Sequence, residues 1–209
     1  MNEGIYEIRT LDVSHLKPYD ISVDAPLWWG QACIAVIEGT MFAILIACYF
    51  YVRLRVDVWP PPGDKYPDVL LPTLALIPLI LSAGGSYWAT ESAKKNDRAG
   101  MIGGLGLNLV LAGIAFAIRI FEWHSLNFNW QSDTQGSFVW SFLGLHSFDY
   151  VAGMVETLVL LIIVVSGRYG EKERQGVHVD SIVWYFVVAI WIPIYVVIYW
   201  GPRLVGSSQ

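Results

Sequence analysis

The chain has 209 residues, 55% hydrophobic and only 15% charged, with a net charge of −5 at neutral pH. A soluble domain of this size carries about 25% charged residues, so the composition points to a membrane protein. The acidic balance and the lack of a basic cluster argue against a nucleic-acid partner.

Five apolar spans follow one another along the chain. The first runs over about 27–52 (LWWGQACIAVIEGTMFAILIACYFYV), long enough to cross a bilayer, which takes roughly 20 apolar residues. Cys33 and Cys48 both lie in it. Fifteen residues apart on one helix is about 22 Å of rise, so they cannot form a disulfide with each other. The second span, about 69–90, is uncharged and holds Pro72, Pro78 and the small cluster Ser82, Gly84, Gly85 and Ser86. In the third, about 99–118, Gly100 and Gly104 make a small-xxx-small face for close helix contact. The fourth, about 137–166, carries His146, Asp149 and Glu156. The fifth, about 181–200, is aromatic-rich and charge-free, with Pro193 as a predicted kink. Trp28, Trp29, Tyr49, Tyr51, Tyr199 and Trp200 mark span ends as an interfacial aromatic belt does. The fold expected is an all-α, polytopic bundle of five transmembrane helices: a polar segment 1–26, a membrane domain 27–201 and a tail 202–209. Residues 1–26 lack the basic and apolar regions of a signal peptide. No internal repeat is visible, which disfavours an inverted-repeat transporter.

Lys and Arg in the flanks set the orientation. With five spans, the N-terminal segment and the second and fourth loops share one side and hold eight basic residues; the other side holds five. The bias predicts a cytoplasmic N-terminus and an external C-terminus.

Two stretches carry ionisable groups at membrane depth. Glu38 is the only charge in the first span, and inserting a charge at a helix centre costs on the order of 2.5–3.5 kcal/mol. It is either a neutral packing residue hydrogen-bonded to a neighbouring helix or part of a functional site. In the fourth span His146, Asp149, Gly153 and Glu156 fall at i, i+3, i+7 and i+10, on one helix face, with Tyr150 beside Asp149. Such a stripe serves a proton path, a metal site or an internal hydrogen-bond network. A metal needs more convergent ligands, and the Glu-x-x-His pairs of di-iron bundles are missing. His15, His124 and His178 read as flank or loop residues, which disfavours heme. No phosphate loop, nucleophile triad or Cys/His metal spacing is present, so no catalytic, cofactor or metal residue is assigned to this chain.

Six segments in order resemble one family. IEGTMFAILIACYFYVRL looks like a Glu-bearing helix ending in an aromatic and basic turn, and WPPPG at 59–63 is similar to a Trp-Pro-Pro-x-Gly loop. LLPTLALIPLILSAGGSYWA resembles a helix closing on Trp-Ala, and RIFEW at 119–123 stands where Gln-x-x-Glu-Tyr is usual. SDTQGSFVWSFLGLHSFDYVAG resembles a Ser-Asp, Gly-Ser-x-Phe and Gly-x-His-x-x-His series, and WYFVVAIWIPIYVVIYWG a terminal aromatic helix. The family is subunit III of the heme-copper respiratory oxidases, which reduce oxygen to water and pump protons. Five spans resemble its short bacterial form.

The resemblance implies a subunit without redox centres in the inner membrane of a bacterium. It would be bound beside subunit I, which carries heme and copper, with other oxidase subunits and membrane phospholipids as further partners. Its expected role is to support proton uptake and to protect subunit I during turnover. Residue by residue, the family pattern covers Glu38, Glu122, Asp133 and His146. Asp149 replaces a usual His, Tyr185 and Val188 a usual His and Asp, His178 a usual Glu, and Arg119 a usual Gln; Glu156 has no counterpart. The buried polar network, related to protons or lipid, is expected at Glu38, Glu122, His146, Asp149, Tyr150 and Glu156. If the first and fourth spans pack together, Glu38 meets His146 as an ion pair or Asp149 with one shared proton. Two rival readings are a small proton-coupled transporter using Glu38, Asp149 and Glu156 as a relay, and a structural subunit of another membrane complex.

Overall fold

The computed structural model describes residues 19–60 and 66–205. Most of the polar N-terminal segment, the later part of the WPPPG loop and the last four residues of the tail lie outside the described residues. Five long helices build the chain: α1 (Pro26–Arg53), α2 (Leu70–Lys94), α3 (Arg98–Ser125), α4 (Thr134–Val165) and α5 (Glu171–Tyr195). A π turn, Val196–Trp200, and a final short helix α6, Gly201–Val205, prolong α5. All five are long and apolar enough to cross a membrane, and no strand occurs among the described residues. The expected all-α five-helix bundle is the fold observed.

The helices start and stop for local reasons. Pro26 opens α1, where its missing N–H costs nothing. The Asp133 carboxylate accepts from the Gly136 N–H at 2.8 Å and caps α4. At the other end of α4, the Arg98 guanidinium donates to the carbonyls of Val164 and Val165, at 3.1 and 2.8 Å. Three residues after Pro193, whose ring nitrogen cannot donate, α5 changes to π bonding.

Helix α5 begins ten residues before its apolar run. Its first turns, EKERQGVHVD, are amphipathic: Glu171 and Glu173 face the positive end of the helix dipole, while Val177 and Val179 are buried. His178 therefore lies within α5, and His124 within the last turn of α3; neither is a loop residue.

Helices α2 and α3 form the tightest pair. A Cβ on Gly104 would lie 2.5 Å from the Ala89 backbone nitrogen, and one on Gly85 2.8 Å from that of Asn108, so only glycine permits this approach. Asn108 completes the seam by donating from Nδ2 to the Ser82 carbonyl at 2.9 Å. Helix α2 also packs on α5, and α4 lies against α5 and α3. The core between them is aromatic, with Phe142, Trp184, Trp191 and Tyr199 fully buried. Helix α1 is different. It rests on α5, touches α4 lightly, and buries only Phe42 and Tyr49.

Candidate functional site

The stripe on α4 straddles its contact with α5 and serves two sites. Asp149 and Glu156 turn toward α1, where they line a pocket of about 170 Å³ together with Glu38 and Gln31. Val183, Phe186 and Val187 of α5 close its far wall. Gly153 permits the approach of α5, since a Cβ there would come within 3.3 Å of the Val183 side chain. Asp149 is buried and its Oδ2 has no hydrogen-bond partner among the described residues; Glu38 is half-buried, and Glu156 is exposed toward the surroundings of the bundle. Carboxylates that share an apolar pocket disfavour one another's charge, and protons or a counter-charge relieve this.

His146 and Tyr150 face the opposite way, into the core. His146 Nε2 lies 3.0 Å from the Val187 carbonyl oxygen, and the Tyr150 hydroxyl donates to the Ala112 carbonyl at 2.9 Å. Of the candidates for pairing with Glu38, the structure brings only Asp149 into its pocket.

The core-facing site centres on Arg119 and Glu122 of α3. Arg119 Nη1 stands 3.3 Å from Glu122 Oε2, with both side chains almost fully buried. The guanidinium also sits 3.6 Å above the Trp191 ring, a desolvated cation–π contact of about 2 kcal/mol. The His146 ring packs on the same indole at 4.7 Å between centroids. Trp191 thus joins a cation of α3 to an imidazole of α4.

A third polar link lies nearer the start of α5. Asp180 is fully buried, and the Thr157 hydroxyl lies 2.8 Å from its Oδ1 and 3.0 Å from the Gly153 carbonyl. The Trp184 indole N–H donates to that same hydroxyl oxygen at 2.7 Å. A hydroxyl has one proton, so these two acceptors compete for it.

Sequence reasoning missed Asp180, Thr157 and Trp191 and treated Arg119 only as a substitution. The signal was present: Val177, Ser181, Trp184, Val187, Trp191 and Ile194 repeat at helical spacing and are all buried. That pattern carries α5 back through Asp180. Among the described residues, no group of three or more His, Cys, Asp or Glu side chains is arranged to hold a metal.

Comparison with known proteins adds the evolutionary frame. Residues 11–202 match the family model described as cytochrome c oxidase subunit III. The chain is similar to proteins named cytochrome c oxidase subunit 3 from three sources. That of Synechocystis sp. is 25% identical over 82% of this chain and 74% of the relative. That of Prototheca wickerhamii is 26% identical over 96% and 76%, and that of Chondrus crispus 26% identical over 85% and 68%. With nearly its whole length matched by that model and five membrane-length helices in its fold, the chain belongs to the cytochrome c oxidase subunit III family.

Proposed function

We propose that this chain is the cofactor-free third subunit of a heme-copper terminal oxidase, seated in a bacterial plasma membrane beside the subunit that carries heme and copper. Its work is to support proton uptake into that subunit and to keep it active through repeated turnover. Other oxidase subunits and membrane phospholipids cover its exposed helix faces. The observation that carries this reading is the pocket in which Glu38, Asp149 and Glu156 meet near the middle of α1 and α4. Ionisable groups at such depth mark proton and ion pathways, and nothing in mere packing requires three of them. The Lys and Arg bias supports a cytoplasmic N-terminus, which puts the loops at Lys94 and Lys172 on the proton-supplying side.

The test is purification in mild detergent from a host carrying the whole oxidase, with heme spectroscopy and turnover of the complex with and without this chain. The complex should carry the chain and show a heme spectrum. The isolated chain should show no Soret band. Removing the chain should leave oxygen reduction slower or shorter-lived, with hemes intact. Full turnover and pumping over many cycles without it would overturn the reading. Proton movement by the chain alone in liposomes would favour a transporter instead.

A further inference from the structure

A second, much smaller cavity lies deep between α2, α3 and α4. It measures about 10 Å³ and is bounded by Leu79, Phe116, Arg119, His146, Ser147 and Tyr150. Three of these side chains bring buried polar atoms that make no hydrogen bond among the described residues: His146 Nδ1, Ser147 Oγ and Arg119 Nη1, whose approach to Glu122 is an ion pair at 3.3 Å. Their residues are only 5%, 1% and 5% exposed, so bulk water does not satisfy them. An unsatisfied buried polar group costs about 1–3 kcal/mol, and three around one cavity are not a random oversight of packing.

The chemistry of the three groups specifies what fits among them. His146 Nε2 lies 3.0 Å from the Val187 carbonyl oxygen, and a carbonyl can only accept. Nε2 therefore carries the ring proton, and Nδ1 presents a lone pair. Arg119 Nη1 offers N–H, and the Ser147 hydroxyl can accept or donate. The occupant must accept from arginine, donate to histidine and exchange a bond with serine. A metal ion is repelled by the guanidinium and offers no proton to Nδ1. An anion such as chloride is opposed by that lone pair and by the carboxylate of Glu122, which already faces Arg119 at 3.3 Å. The size agrees: a water needs roughly 10–15 Å³ of such space and about three polar partners.

We propose that the cavity binds a single water, which accepts a hydrogen bond from Arg119 and donates to His146 Nδ1 and to Ser147. Arg119 is then a positioning residue for His146. Through the water it fixes the imidazole as the Nε2–H tautomer, and the Nε2–H bond to Val187 carries that order into α5.

The experiment uses the full chain in lipid nanodiscs, with ¹⁵N-labelled histidine and solid-state NMR; His146→Gln identifies the His146 signals. The expected result is an unprotonated Nδ1, a protonated Nε2 and a magnetisation-transfer peak from water to Nδ1. Ser147→Ala should weaken that peak severalfold by removing one of three partners. Arg119→Leu should abolish it. If Arg119→Leu fails to fold, the native chain and Ser147→Ala still decide. A proton on Nδ1, a missing water peak in the native chain, or an unchanged peak in Ser147→Ala would overturn the proposal.

Discussion

Helices α2 and α3 meet through glycines, an asparagine and backbone, while α1 meets α4 across a pocket of carboxylates. On the first side Gly85 and Gly104 bring two backbones into contact, and Asn108 spends its amide on a carbonyl of the facing helix. On the second side α1 buries two residues only, leaving Val36, Ile37 and Ile44 exposed at 68, 69 and 60%. In lipid no hydrophobic force drives helices together, so close packing and hydrogen bonds must do it. The α2–α3 side has both. The α1–α4 side has only the edge-on packing of Tyr49 against Phe138 and Phe142, and the stretch beside it is where ionisable groups can gather without being crushed into the core. One side holds the bundle together; the other leaves a pocket between its helices.

The largest expected effect comes from the ion pair enclosed in the core, where α3 meets Trp191 of α5. Glu122→Ala leaves Arg119 buried above Trp191 without its carboxylate. Removing one member of a buried pair costs about 3–5 kcal/mol. Denaturation of the chain in detergent should show a midpoint lowered accordingly. A change within error would mean that Trp191 and neighbouring dipoles alone stabilise the guanidinium.

A matched pair of substitutions on α3 isolates the seam itself. Gly104→Ala drives a methyl group into the Ala89 backbone and should cost about 1–3 kcal/mol, because the two helices must part. Gly106, two residues on, has nothing within 4 Å of a Cβ, so Gly106→Ala should stay within about 0.5 kcal/mol. Equal effects from the two would show that helix propensity, not the close approach to α2, sets the outcome.

The same contrast explains what could be read from the sequence. Hydropathy alone marks five spans, because a bilayer demands about 20 apolar residues whatever their partners. Gly104 was legible as part of a small-residue face, since small residues at that spacing have few other uses in a membrane helix. The polar sites were harder. Counting apolar residues ends the third span at Ile118, so Arg119 and Glu122 fall into its flank although α3 runs on to Ser125. The same count starts the fifth span at Ser181 and excludes Asp180 by one residue, because a helix end projecting from the bilayer loses its apolar mark but keeps its period. The division of the α4 stripe could not be read at all. His146 and Asp149 differ by less than one turn, and whether they share a neighbour depends on where α5 packs.

The smallest expected effect lies on the open side, and it sharpens the comparison most. Glu38 is half-buried in the chain alone, facing a pocket rather than a packed helix. With room around its carboxyl, Glu38→Ala should cost the isolated chain about 1 kcal/mol or less, the lower range for a lost polar partner. Glu38→Gln keeps the shape and the hydrogen-bonding capacity, and should change stability by less than about 0.5 kcal/mol. Within the oxidase proposed above, neighbouring subunits or lipids cover this face, and the same pocket becomes dry. Leaving its polar groups unpaired there costs more, about 1–3 kcal/mol for Glu38→Ala, while Glu38→Gln stays small if the carboxyl is protonated. Thermal dissociation of the purified complex, set beside denaturation of the chain in detergent, measures both. An infrared spectrum of the complex separates the two charge states: a protonated-carboxyl band lost in Glu38→Gln fits a proton shared with Asp149. If no such band is lost at neutral pH, Glu38 is ionised, and a cation from a covering chain or from solvent must balance the three carboxylates.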